Sequence, residues 1–272
     1  MSNQILKGKK GIIFGALDER SIAWKVAEQC HAEGAEIVLT NAPIAMRMGA
    51  INTLAEKTGS IIIPCDVSLD EDMQKLIDGS MQHFGGKVDF ILHSVGMSLN
   101  IRKNKPYTQS NYDFMHKTFD ISAISFHRLL QACIEKDAIN DWGSVLALTY
   151  IAAQRVFPDY GEMAESKALL ESFARSFGYH YGVAKKVRVN TISQSPTMTS
   201  AGSGVGGFDS FVDYAQRMSP LGNASADDCA AYCVAMFSDY TRMVTMQNLF
   251  HDGGYSFTGV SADVMSKFGN QG

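Results

Sequence analysis

At 272 residues the chain is long enough for one large α/β domain with a well-buried core. Hydrophobic residues make up 46% and charged residues 19%, without low-complexity tracts or an apolar stretch of bilayer length, which argues against disorder and a membrane span. A formal net charge of −4 excludes a generally basic nucleic-acid surface.

The N-terminal segment carries Lys7, Lys9 and Lys10 but runs straight into an apolar strand without a small-residue cleavage site. It does not read as a signal peptide, so a cytoplasmic location is expected. Short apolar runs then alternate with stretches of helical period. The runs fall at residues 11–15, 36–40, 61–63, 88–92, 144–148 and 187–192, and a last one at 247–251, after which the tail Asp252-Gly253-Gly254-Tyr255 is expected to end the compact domain. A helix is expected over about 21–33, with Ser21 available as its N-cap. This alternation predicts an α/β fold of the Rossmann type, a doubly wound parallel sheet in a single domain over 1–272, with ligands beyond the carboxyl ends of the strands. The only linker-like run is glycine- and serine-rich, at 200–207. It predicts a mobile loop near 197–218, either an ordinary connection or a lid over the crevice.

Several candidate residues sit at those carboxyl ends. Gly15 follows the first strand and lets the backbone approach a ligand closely, and the helix after it could hold a pyrophosphate on its exposed amides. The usual Gly-x-Gly-x-x-Gly fingerprint is absent. The second strand ends in Thr40, Asn41, Ala42 and Pro43, with no ribose-binding acid and no cation before Arg47, which favours NADH over NADPH. Asp66, after the third strand, suits an adenine amino group or a helix cap. The five cysteines (Cys30, Cys65, Cys133, Cys229, Cys233) are odd in number and scattered, so reduced core thiols are expected. Cys229 and Cys233 have no companion ligands at metal-binding spacing, and no metal is expected.

If a helix starts near Tyr160, then Tyr160, Met163 or Ala164, and Lys167 line one face. A phenol with an ordinary pKa of about 10 donates a strong hydrogen bond near neutral pH more readily beside a cation, which Lys167 would supply. A packed Tyr and a surface Lys satisfy the same periodicity.

Tyr150 and Tyr160-x2-Met163-x3-Lys167, together with Gly15-x5-Ser21-Ile22-Ala23, resemble the Tyr-x6-Lys bacterial enoyl-acyl carrier protein reductases of the short-chain dehydrogenase superfamily. Cys65-Asp66-Val67, His93-Ser94-Val95-Gly96 and Arg188-Val189-Asn190-Thr191-Ile192-Ser193 fit the same pattern, in order and over nearly the whole chain. The resemblance implies a seven-stranded sheet, a homotetramer, and hydride transfer from NADH to the β-carbon of a trans-2-enoyl thioester on acyl carrier protein in fatty acid elongation. It makes Tyr160 the hydrogen-bond donor to the thioester carbonyl, Lys167 the ribose-binding residue and Tyr150 a pocket residue assisting proton delivery. Carried over likewise, Gly15, Ser21, Ile22, Ala42, Asp66, Val67, Val95, Thr197, Met198, Thr199, Ser200 and Ala201 touch the cofactor, and Ser98 faces the substrate.

Tyr181-x3-Lys185 spells the motif of the ketone and alcohol dehydrogenases, but it precedes a strand at the edge opposite the crevice and reads as a solvated surface turn. Departures from the family pattern are Ser195 for Gly, Met97-Ser98 for Phe-Ala, and Thr245-Met246-Gln247 without a Gly. The carrier surface would draw on Arg102, Lys103 and Lys105, since the helix after the glycine-rich loop lacks basic residues. Two rival readings are a short-chain reductase of a ketone or another activated alkene, and a non-catalytic nucleotide-sensing protein.

Overall fold

In the computed structural model, which describes residues 3–47, 49–199 and 208–268, strands and helices alternate as the hydrophobic pattern requires. The elements run β1 (Lys10–Phe14), α1 (Ile22–Ala32), β2 (Glu36–Thr40), α2 (Pro43–Met46), α3 (Ala50–Thr58), β3 (Ile61–Ile62), α4 (Asp70–Phe84), β4 (Val88–His93), α5 (Leu99–Arg102), α6 (Tyr112–Phe119) and α7 (Ser125–Glu135). They continue with β5 (Ile139–Thr149), α8 (Met163–Lys185), β6 (Arg188–Gln194), α9 (Phe208–Met218), α10 (Ala226–Phe237), β7 (Asn248–His251) and α11 (Ala262–Ser266).

The seven strands form one parallel sheet in the order β3-β2-β1-β4-β5-β6-β7, the doubly wound arrangement expected from the sequence. Winding reverses between β1 and β4, which opens a crevice past their carboxyl ends. Period-two alternation builds a core on each face. On β1, Ile12 and Phe14 join a cluster with residues of α4, α7 and α8, whereas Ile13 joins one with residues of α1, α3 and α10. Burial on both faces explains why the central strands read as continuous apolar runs.

Helix ends follow local chemistry. Asp70, Glu71 and Asp72 occupy the first turn of α4, where the helix dipole favours anions, and Gly85 closes that helix at φ 62°. A capping box of Ser225 and Asp228 opens α10.

The structure corrects four expectations. Tyr160 is not on the helix that carries Lys167. It ends a short 3-10 turn, Pro158–Tyr160, and α8 begins only at Met163. Pro158 initiates that turn, and Gly161, at φ 50° and ψ −148°, is in backbone space open essentially to glycine, so the helical register breaks between the two residues. Ser21 holds the N-cap position of α1 but makes no capping bond, because its hydroxyl donates to Asp18 O (2.7 Å) and accepts from Leu17 N (3.2 Å) within its own loop. Tyr181 is not in a solvated turn: α8 continues through it and buries its ring in the core. Lys185 does lie at the amino end of the sheet, donating to Ile139 O (2.9 Å) at the start of β5. Finally, the fold does not close at Tyr255, since α11 is tied to α9 by Arg217 and Asp263 (3.0 Å).

Candidate active site

Gly15 leaves β1 at φ 92° and passes so close to β4 that a Cβ there would lie 2.0 Å from Ser94 O. Its amide donates to Thr40 O (3.0 Å), which wedges the turn between the ends of β2 and β4. Asn41 braces the same turn, donating to Ala16 O (3.0 Å) and accepting from Ala42 N (2.8 Å). The first turn of α1 therefore points at the crevice with backbone amides available to an anion. A cleft of about 650 Å³ opens beside it, lined by Glu19, Arg20, Lys25, Thr197 and Met198 among others.

Asp66 accepts from Ser68 N (3.0 Å) and Ser68 Oγ (2.6 Å), forming a local turn after β3. Val67 is buried, and its carbonyl accepts from Arg128 (2.8 Å). Val95 is half-buried against the α4/α7/α8 core, and Ile22 against that of α1, α3 and α10. Thr197 donates to Ser195 O (2.9 Å), while Met198 is exposed. Ser200 and Ala201, and the 200–207 part of the expected loop, lie outside the described residues. Beyond Thr199, the described part of that loop region is α9, whose Ala215 and Met218 are buried.

At the end of β5, Tyr150 is buried with its ring 5.3 Å from Tyr160, 5.3 Å from Phe157 and 5.9 Å from Phe211. These rings belong to a third, smaller core cluster with Ala215, Met218 and Tyr255. Removal from water pushes the phenol of Tyr160 well above its ordinary range, and that of Tyr150 also, with Tyr255 and Tyr160 adding to it. Both phenols thus keep their protons near neutral pH.

Lys167 is 7% exposed on the first turns of α8, and its Nζ donates to Leu148 O (2.8 Å). Burial lowers its pKa to about 8, opposed by the carboxylate of Glu171 one turn further on. Glu171 is itself buried, accepting from Thr149 Oγ1 (2.9 Å), Asn248 (3.1 Å) and Gln154 (3.4 Å), and desolvation raises its pKa against those bonds. Gly96 packs near this end of α8: a Cβ there would lie 3.4 Å from Met163 Cε and 3.9 Å from Lys167 Nζ.

The structure thus gathers Tyr150, Tyr160 and Lys167 at the carboxyl edge, with Gly15 and the start of α1 on the neighbouring strand ends. Ser98 is buried, and its hydroxyl donates to Glu162 Oε1 (2.7 Å) while capping α5 through Ile101 N (3.1 Å). Sequence reasoning passed over Asn41, Glu162 and Glu171. Only Asn41 had a visible signal, as the polar residue closing a strand where an acid was expected. The two glutamates look like any helical acid until tertiary contacts bury them. Two family departures carry bonds of their own: Ser195 Oγ accepts from Ala224 N (3.0 Å), and Thr245 Oγ1 from Val189 N (3.1 Å).

The enoyl-(acyl carrier protein) reductase family profile matches residues 15–256, nearly all of the described fold. The chain belongs to the enoyl-acyl carrier protein reductase family. Within it, the NADH-type enoyl-acyl carrier protein reductase 2 of Rhizobium meliloti is 31% identical over 257 residues, covering 94% of each chain. FabI of Aquifex aeolicus is 30% identical over 94% of each chain. The FabI–NADH complex of Alistipes finegoldii superimposes with a TM-score of 0.95 at 61% identity, covering 96% of this chain and 93% of that one.

Proposed function

We propose that the chain is an NADH-dependent enoyl-acyl carrier protein reductase, reducing the carbon–carbon double bond of a trans-2-enoyl thioester in fatty acid synthesis. The observation that carries this reading is the pairing of two phenols, Tyr150 and Tyr160, with ring centres 5.3 Å apart, and the buried Lys167 at the same sheet edge.

The residues present fit a nicotinamide dinucleotide. Gly15 sits where any side chain would strike Ser94 O, so only bare backbone lines that turn. Thr40 Oγ1 at the end of β2 and Ser193 Oγ near the end of β6 are buried without a partner among the described residues. The three N–H donors of Lys167 find one acceptor there, Leu148 O, which leaves two for ribose hydroxyls. With no Arg or Lys in the sequence from Thr40 until Arg47, NADH is preferred over NADPH.

NADH, when bound, supplies the hydride. Tyr160 then offers its hydroxyl to the thioester carbonyl and stabilises the charge that develops on that oxygen, in a site from which aromatic rings exclude water. Tyr150 lines the pocket and assists proton delivery at the α-carbon. Lys167 holds the ribose, with its buried ammonium anchored on Leu148 O. Gly15, Ser21, Ile22, Ala42, Asp66, Val67, Val95 and Thr197–Thr199 are assigned to the cofactor, and Ser98 to the substrate wall.

Arg102, Lys103 and Lys105 are exposed around the end of α5, the helix capped by Ser98, and are assigned to docking of the acidic carrier. No described helix is long and apolar enough to cross a membrane. By family likeness the chain is assigned to a cytoplasmic homotetramer. The test is absorbance at 340 nm with NADH or NADPH and either crotonyl or acetoacetyl thioester. Loss of signal with NADH and crotonyl thioester is expected; turnover only of the acetoacetyl substrate would make the chain a ketone reductase.

A further inference from the structure

Glu162 has no solvent exposure, and the reaction as assigned above makes no use of it. Its Oε1 accepts from Ser98 Oγ (2.7 Å) and from Thr118 Oγ1 (2.8 Å), whereas Oε2 has no partner among the described residues. A buried carboxylate with one satisfied oxygen is a costly arrangement. It stands two residues from Tyr160, across Gly161, whose backbone angles only glycine adopts readily.

That turn sends the two side chains opposite ways: the ring of Tyr160 into the aromatic cluster with Tyr150, and the carboxylate of Glu162 inward between α5 and α6. Ile101 of α5 covers the turn, so close that a Cβ on Gly161 would lie 3.2 Å from its Cγ1. Among the described residues the structure gives the Tyr160 hydroxyl no hydrogen bond, so its place depends on ring packing and on the backbone to either side. On one side Tyr160 N donates to Phe157 O (3.0 Å); on the other stands the buried anchor of Glu162.

We propose that Glu162 is a positioning residue for Tyr160: its carboxylate, gripped by Ser98 and Thr118, fixes the Gly161 turn and thereby the phenol that faces the substrate carbonyl. The inference rests on the assignment of Tyr160 above. Two hydroxyls donating to one buried oxygen let a single side chain hold the turn, α5 and α6 together. The same contact makes Ser98 more than a pocket wall, since it transmits the position of α5 to the start of α8.

The test compares Glu162→Val, which removes the acceptor, with Glu162→Gln, which keeps an acceptor oxygen of similar shape. Thr118→Val is the milder variant if Glu162→Val fails to fold. We expect Glu162→Val to lower kcat for crotonyl thioester about tenfold or more while NADH Kd stays within about twofold, with Glu162→Gln recovering most of the rate. Amide hydrogen exchange over residues 157–163 should quicken in Glu162→Val and not in Glu162→Gln. A purely structural role would lower the melting temperature and leave both kcat and local exchange near wild type. That result, or a Glu162→Gln variant as impaired as Glu162→Val, would overturn the proposal. If the wild-type protein reduces no enoyl thioester, the reaction assignment fails, and the exchange comparison still decides whether Glu162 holds the turn.

Discussion

Replacing Gly15 by Ala should cost both stability and NADH affinity, for reasons that can be separated. The backbone there stands at φ 92°, and an added Cβ would lie 2.0 Å from Ser94 O. Ordinary carbon–oxygen contacts begin near about 3.3 Å, so the turn and β4 must part by about 1.3 Å. The left-handed backbone costs an Ala about 1–2 kcal/mol, and forced overpacking about 1–3 kcal/mol more, giving about 3 kcal/mol together. At about 2–4 °C per kcal/mol for a domain of this size, the melting temperature should fall by about 6–12 °C. Gly8→Ala is the control, because Gly8 has φ 75° and nothing within 4 Å of a built Cβ. It should carry the backbone cost without the collision. Urea denaturation would measure both variants, and NADH fluorescence titration should show a Kd raised about tenfold or more in Gly15→Ala alone. If Gly15→Ala is no less stable than Gly8→Ala, the close approach to Ser94 is wrong. If it loses stability yet binds NADH normally, the turn does not cradle the dinucleotide.

Lys167→Ala should raise NADH Kd as well as lower the rate, because the ammonium is assigned to the ribose, whereas Tyr160→Phe should lower kcat by about 100-fold or more and leave NADH binding intact. Equal NADH affinity in wild type and Lys167→Ala would remove the lysine from the ribose. The pH profile follows from the same residue: its cationic form is present below about 8 and lost as pH rises through that value, so kcat/KM should hold near neutrality and fall above about 8. The carboxylate of Glu171 raises that pKa, so Glu171→Gln should move the falling limb to lower pH; an unmoved limb would assign it to another group.

The sheet was legible because buried parallel strands leave unbroken apolar runs, as in Ile12-Ile13-Phe14 and Val145-Leu146-Ala147-Leu148, and because connections of helical period separate them. Tyr150 and Lys167 were legible at a strand end and on a helix, where spacing maps onto geometry. Tyr160 was legible as a residue but not in its setting, since helical periodicity carries across Pro158 and Gly161 on paper whereas the backbone does not. Glu162 and Glu171 were invisible for a different reason. Their burial depends on Ser98, Thr118, Thr149 and Asn248, which lie 22 to 77 residues away, and no local pattern marks such pairs.

The two halves of the site rest on different kinds of structure, and this predicts where change is tolerated. The proposed cofactor end draws on the carboxyl ends of β1, β2 and β4 and on α1, elements embedded in the two large cores. The proposed substrate end draws on the 3-10 turn of Tyr160 and on α9, which rest on a core cluster of six buried residues, and on the four-residue α5. Small clusters and short turns open locally at lower free energy than central strands, so this end can move and accept substitution without unfolding the sheet. Met97 and Ser98, the departures beside the pocket, fall on this side, and Ser98 acts with the buried carboxylate of Glu162. Removing either member of this hydroxyl–carboxyl pair takes a hydrogen-bond partner from the other while it stays buried. Ser98→Ala and Glu162→Val together should therefore cost less stability than the sum of their separate effects.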